Sequence, residues 1–227
     1  MKKQWINYII FMILIPLTIL IGVTIFEDRS YVFISFVIVL LTLIPFFLSF
    51  ENKDTNIRRM VILAVMVALS VVGRFIFSAI PGFKPVTAIV ILTAISFGAE
   101  AGFLVGALTA LLSNIYFGQG PWTPFQMFSW GIIGLIAGIP FIRQQLKKNR
   151  LTLIFFGLFS GVIFSLLMDI WTVISIDGTF NIKRYLTVVS LSIPFMFTYA
   201  VSNVVFLLLT IKPIGNKLTR IKTKYGI

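Results

Sequence analysis

Long apolar runs separated by short polar breaks make up most of the chain, at 6–26, 31–50, 57–79, 86–97, 99–117, 125–142, 151–176 and 186–211. Most reach the ~20 residues that an α-helix needs to cross the hydrocarbon layer of a bilayer. Only helices and closed barrels satisfy every backbone polar group in lipid, and runs this long select helices. The pattern predicts an all-α integral membrane protein with about eight transmembrane helices.

The run at 86–97 departs from the rest. Its twelve residues rise only ~18 Å as a helix. It follows Ile80-Pro81-Gly82-Phe83-Lys84-Pro85, whose prolines interrupt any helix. Irregular backbone at membrane depth survives only within protein or beside a polar cavity, so this loop and short helix are expected to line one. A second break, Glu51-Asn52-Lys53-Asp54-Thr55-Asn56, is strongly polar. It divides an N-terminal transmembrane hairpin and linker, 1–56, from a six-helix core, 57–212, which a basic tail follows at 213–227.

Composition agrees. Hydrophobic residues make up 59% of the chain and charged ones 11%, against about 25% charged in a soluble domain. The net charge of +12 does not call for nucleic acid, because Lys and Arg collect in the cytoplasmic loops of membrane proteins. With eight spans and a cytoplasmic N-terminus, fourteen basic residues fall inside, among them Lys2, Lys3, Arg58, Arg59, Arg143, Lys147 and Lys222. Five (Arg29, Arg74, Lys84, Lys183 and Arg184) fall outside or at outer membrane levels. Both termini are therefore expected in the cytoplasm of a cell carrying this chain in its plasma membrane. The first run is about twice a signal-peptide core and ends Ile25-Phe26-Glu27-Asp28 without a small-residue cleavage site, so it reads as a retained helix.

The chain has no Cys and no His. Disulfides, the usual zinc and copper ligands, and catalytic dyads built on those residues are excluded. There is no GxxxxGK[ST] loop, and Asp169 is without a second membrane-embedded carboxylate for an aspartyl protease. Neither enzymatic activity nor a cofactor or metal site is expected.

Small residues recur at four-residue spacing in two runs: Gly98, Gly102, Gly106, Ala110 and Asn114, then Gly157, Gly161 and Ser165, continued by Asp169. Such stripes let helices approach closely in lipid. Extending a packing stripe sets the Asp169 carboxylate against protein, as an ionisable group in a membrane requires. Arg74 is calculated to lie at similar depth, ~8 Å against ~10 Å below the outer helix ends. The expectation is that they pair, or that one or both contact a polar ligand. Ala64 and Ala68, one turn apart, form a small-residue edge separate from Arg74 on the same helix.

The densest polar and aromatic stretch is Asn114-Ile115-Tyr116-Phe117-Gly118-Gln119-Gly120-Pro121-Trp122-Thr123-Pro124-Phe125-Gln126-Met127. Its glycines and prolines shape a turn, and Asn114, Gln119, Thr123 and Gln126 offer neutral hydrogen bonds beside aromatic rings. It holds no nucleophile and no paired acid. The chemistry is recognition.

Gly73-Arg74-Phe75, the 80–87 loop, Phe97-Gly98-Ala99-Glu100-Ala101-Gly102-Phe103 and the Gly118-Gln119-Gly120-Pro121-Trp122-Thr123-Pro124 run occur in this order. Together they resemble the substrate-binding S component of energy-coupling factor (ECF) transporters, bacterial importers of vitamins, most of all its cobalamin-type subfamily. The similarity covers roughly 57–211. It implies a six-helix core that binds a vitamin at its outer face and associates with a transmembrane T component and two cytoplasmic ATPases. It implies an AxxxA edge toward the T component, at Ala64 and Ala68, and delivery of ligand by reorientation in the membrane. The ligand-contact candidates are Arg74, Phe83, Lys84, Asn114, Gln119, Trp122, Gln126, Trp130, Asp169 and Trp171. A corrinoid would suit an amide-rich site, and riboflavin or another flat vitamin would suit the tryptophans. A different class, an ion-coupled secondary transporter using Asp169, stays open from the residues alone.

Overall fold

The structure is a computed structural model that describes residues 6–7, 9–25, 31–48 and 53–226. Lys2, Lys3, Arg29 and, from the polar break, Glu51 and Asn52 lie outside the described residues. Among those described, every element is helical: α1 (Ile15–Ile25), continuing a π-helical stretch Ile10–Leu14, then α2 (Tyr31–Leu48), α3 (Lys53–Ile76) and α4 (Val86–Phe97). There follow α5 (Ala99–Phe117), α6 (Trp122–Gly138), α7 (Pro140–Lys148), α8 (Arg150–Asp177) and α9 (Ile182–Tyr225). The chain is an all-α membrane protein. Among the described residues four helices are long and apolar enough to span a bilayer, or five if the bent pair α6–α7 counts as one span; α4 and the described parts of the hairpin are shorter.

Consecutive helices from α3 to α6, then α8 and α9, run in alternating directions. Their connections gather at two ends: 77–85, 118–121 and 178–181 at a loop end, and 98, 139 and 149 at a basic end. The short helix α4 is the centre of the bundle, touching α3, α5, α6, α7 and α9. It is apolar on every side, and all its residues except Ser96 are buried, as a helix without a polar face must be. Because α4 is only ~18 Å long, the 77–85 connection dips into the bundle. The Lys84 backbone N–H donates to Ser202 Oγ at 2.8 Å, and Ser202 lies ~30 Å along α9 from its start.

Both small-residue stripes pack helices together. A Cβ on Gly106 would lie 2.6 Å from the Trp130 backbone, and one on Gly134 2.4 Å from Gly102, so α5 and α6 touch backbone to backbone. On α8, a Cβ on Gly161 would lie 2.5 Å from the Ala200 nitrogen of α9. Elsewhere the structure departs from the apolar pattern. The run 125–142 is broken, with α6 and α7 meeting at 78°. Pro140 begins α7 and holds Ile139 extended, which turns the chain across the basic end. Residues 213–225 are no separate tail. Helix α9 runs through Pro213 to Tyr225, and Leu218 is buried beneath it.

The described part of the hairpin rests on α5 and α6. Asn7 Nδ2 donates to Glu100 at 3.0 Å, and the Phe11 and Phe103 rings meet at 4.4 Å. This leaves α3 on the opposite flank uncovered, with Ala64, Ala68, Val65, Leu69 and Val72 exposed.

Candidate functional site

Three elements bring the polar residues of the loop end together: the last turn of α3, the end of α5 and the start of α6. Asn114 is fully buried and uses its whole amide. Its Oδ1 accepts from Arg74 Nη1 at 2.7 Å, and its Nδ2 donates to Thr123 Oγ1 and Gln126 Oε1, both at 2.9 Å. Arg74 Nη1 also donates to Ser113 Oγ. Gln119 Nε2 donates to the Leu111 carbonyl at 2.7 Å, and its Oε1 accepts from Thr123 at 3.0 Å. Gly118 adopts a positive φ of 97°, the turn that lets the chain double back over itself. The neutral amides of Asn114 and Gln119 thus build the loop. Sequence reasoning treated all of them as ligand donors, because spacing does not show which amides satisfy each other.

A run of rings and cations starts from this network. The Arg74 guanidinium lies 4.5 Å from the Phe117 ring centre and 5.4 Å from that of Trp130. Trp130, 1% exposed, stacks on Phe164 of α8 at 5.2 Å and 17°. Phe164 meets Tyr199 of α9 at 5.0 Å, and Lys84 Nζ sits 5.2 Å over the Tyr199 ring. Each cation–ring contact of this kind contributes about 0.5–2 kcal/mol, more as water is excluded. Tyr199 and Phe164 were not among the sequence candidates; only their place opposite Trp130 and Lys84 reveals them.

Asp169 is 7% exposed and faces protein, as its stripe predicts. The expected ion pair with Arg74 is absent. Asp169 Oδ2 instead accepts from Ser192 of α9 at 2.6 Å, while Arg74 is taken by Ser113 and Asn114. Equal calculated depth did not bring the two together, because Arg74 points toward α5 and Asp169 toward α9.

The remaining candidates divide. Trp171 of α8 packs on Phe125 of α6 at 5.5 Å, closing the same loop end. Trp122 is half-exposed and lays its indole over Gly120, where a Cβ would come within 2.2 Å of the ring. Phe83 turns from the polar cluster into an aromatic group with Phe77 and Phe206, at 6.1 and 5.1 Å. Arg74, Lys84, Gln126, Trp130 and Asp169 are therefore brought into one neighbourhood with Tyr199 and Phe164. Asn114 and Gln119 brace it, and Phe83 supports it from below.

Residues 54–219 match the family model described as ECF-type riboflavin transporter, S component. Among curated proteins the chain is similar to a UPF0397 protein of Vibrio atlanticus (strain LGP32), 30% identical over 99 residues, which are 41% of this chain and 52% of that protein. It is similar to a UPF0397 protein of Aliivibrio fischeri (strain MJ11), 31% identical over 104 residues, 43% of this chain and 54% of that one. The chain thus matches about half the length of these curated relatives. No solved structure matches it significantly. The family match runs from the start of α3 to residue 219 of α9 and takes in every candidate contact residue, and on that extent the chain belongs to the S components of ECF-type transporters.

Proposed function

We propose that this chain is the substrate-binding subunit of an ATP-driven vitamin importer, with ligand entering at the loop end. The observation that carries the reading is the continuous run from Phe117 through Arg74, Trp130, Phe164 and Tyr199 to Lys84. It joins stacked aromatic faces to two cations, with the Asp169 carboxylate at the same α8–α9 contact as Phe164 and Tyr199. That combination suits a flat conjugated ring with polar edges. Nothing in it supplies a nucleophile or a general acid pair.

For the cargo, two observations favour a flat vitamin of the riboflavin kind. The matched family model carries riboflavin in its description, and the amides of Asn114 and Gln119 are committed to the loop. Cobalamin or a related corrinoid, which the sequence resemblance implies, is the second reading. It rests on the Gly118–Pro124 motif, and its amide rim would have to be met chiefly by Gln126, Arg74 and Lys84. The basic end then faces the cytoplasm in accordance with the positive-inside rule. The exposed alanine edge of α3 is the contact for a T component, which works with two cytoplasmic ATPases.

The test is the absorbance spectrum of the detergent-purified chain from cells supplied with riboflavin and cobalamin, followed by calorimetry with each compound. A flavin spectrum with saturable riboflavin binding supports the first reading. A corrinoid spectrum replaces the cargo. Binding of neither overturns both.

A further inference from the structure

At the basic end, two adjoining cavities open between α4, α7, α8 and α9. One, of about 600 Å³, is lined by Lys147, Lys212, Lys222, Ser96, Asn216 and Thr219 among others. The other, of about 340 Å³, shares Lys147, Ile211 and Lys212 and adds Lys148, Arg150, Leu146, Leu153 and Leu208. Neither wall contains an acid. Among the described residues, none of Lys147, Lys212 and Lys222 forms an ion pair. Arg143 donates to the Ile95 and Ser96 carbonyls at 2.6 and 2.9 Å, and Lys222 to Ser96 at 2.9 Å, which fixes them at the end of α4. The described residues give the side chains of Lys147 and Lys212, both exposed, no such anchor.

We infer that these joined cavities hold an anionic phospholipid. The phosphate would sit among Lys147, Lys212 and Lys222, with the hydroxyl and amide groups of Thr219 and Asn216 beside it. An acyl chain would follow the Leu146–Leu153–Leu208–Ile211 wall. Two features select a lipid over a soluble anion. The basic wall lies where the apolar sequence of α9 ends, between Ile211 and Lys212, at the level of headgroups. The second cavity gives the same lysines an apolar floor, which an inorganic anion does not need. Basic pockets between membrane helices on the cytoplasmic side are suited to such headgroups. The site is remote from the loop end, and the inference is the same for any vitamin bound there.

The experiment compares retention of phosphatidylglycerol and phosphatidylcholine by the purified full chain, using native mass spectrometry after equal exposure to mixed micelles. Lys147→Gln with Lys212→Gln is set beside Lys217→Gln with Arg220→Gln, a double with the same charge change on exposed positions outside both cavities. Phosphatidylglycerol is expected to be retained in preference, with retention falling about five-fold per cavity lysine removed and unchanged in the control double. Equal loss in both doubles overturns the site, since general surface charge would then explain binding. Displacement by millimolar inorganic phosphate overturns the lipid as its source. Retention unaffected in either double, with only the cavity double failing to assemble with ATPase-bearing partner subunits, overturns it in favour of a protein contact.

Discussion

Arg74 Nη1 and Asn114 Oδ1 are 2.7 Å apart, which ties the last turn of α3 to the buried end of α5. Asp169, the one carboxylate in the 57–211 apolar core besides Glu100 and Asp177, takes no part in that contact and accepts from Ser192 instead. Two ionisable groups set in one neighbourhood are thus held by separate hydrogen bonds to separate helices. Arg74→Ala leaves the buried Asn114 oxygen without its charged donor and is expected to destabilise the chain by about 1–3 kcal/mol. Asp169→Ala frees only the Ser192 hydroxyl, which keeps its contact to the Val189 carbonyl. The double variant is expected to be additive to within about 0.5 kcal/mol, as for groups without a shared partner. Thermal unfolding of the four proteins in one detergent measures it. A coupling well above that value means that the two groups pair.

The small-residue contacts make a sharper contrast. A Cβ on Gly134 would meet the Gly102 backbone at 2.4 Å, whereas one on Gly215 would meet nothing within 4 Å. Gly134→Ala forces α5 and α6 apart and is expected to cost at least about 1–3 kcal/mol. Gly215→Ala, in the same class of substitution, is expected to stabilise α9 by about 0.5–1 kcal/mol, since Gly is the costlier residue in a helix interior. Melting temperatures moving in opposite directions confirm the packing; both falling overturns the assignment of Gly215 to open space.

Much of this packing is legible in the sequence. Four-residue spacing of Gly and Ala predicts which faces of α5 and α8 meet a neighbour, and the shortness of 86–97 predicts a loop drawn into the bundle. Four features were not legible, for definite reasons. Pro140 lies inside an apolar run, and hydropathy is blind to a bend. The basic stretch after 212 reads as a tail, but the buried Leu218 and the Lys222–Ser96 contact carry α9 through Pro213. The depth of Arg74 and Asp169 followed from helix rise, but their facing depended on which neighbour each helix met. Tyr199 and Phe164 carried no motif, and became visible only through the rings beside them.

Ala64 and Ala68 are exposed on the flank that the hairpin leaves bare. If this edge is the coupling surface, Ala64→Trp and Ala68→Trp abolish vitamin uptake in cells containing the ATPase partners. Ligand affinity of the isolated chain is expected to stay within about two-fold, because the edge lies on a separate face of α3 from Arg74. Uptake assays and calorimetry on the same variants separate the two effects. Affinity falling in step with uptake would show that edge and ligand site are one.

Asp169→Asn isolates the charge from the contact. The amide keeps the size of the carboxylate and an oxygen that accepts the Ser192 hydroxyl, so the α8–α9 contact at 2.6 Å has a substitute and stability is expected to change little. The substitution removes the negative charge from the α8–α9 contact. A ligand N–H or O–H bound to a carboxylate gains about 1.5–3 kcal/mol from the hydrogen bond, so affinity is expected to weaken about ten-fold or more. The same variant separates the two transport classes. In an ATP-driven importer, uptake at saturating ligand survives the loss of charge and resists dissipation of the ion gradient. Uptake that collapses with the gradient in wild type, and is lost altogether in Asp169→Asn at any ligand concentration, would make Asp169 an ion-coupling residue and overturn the ATP-driven reading.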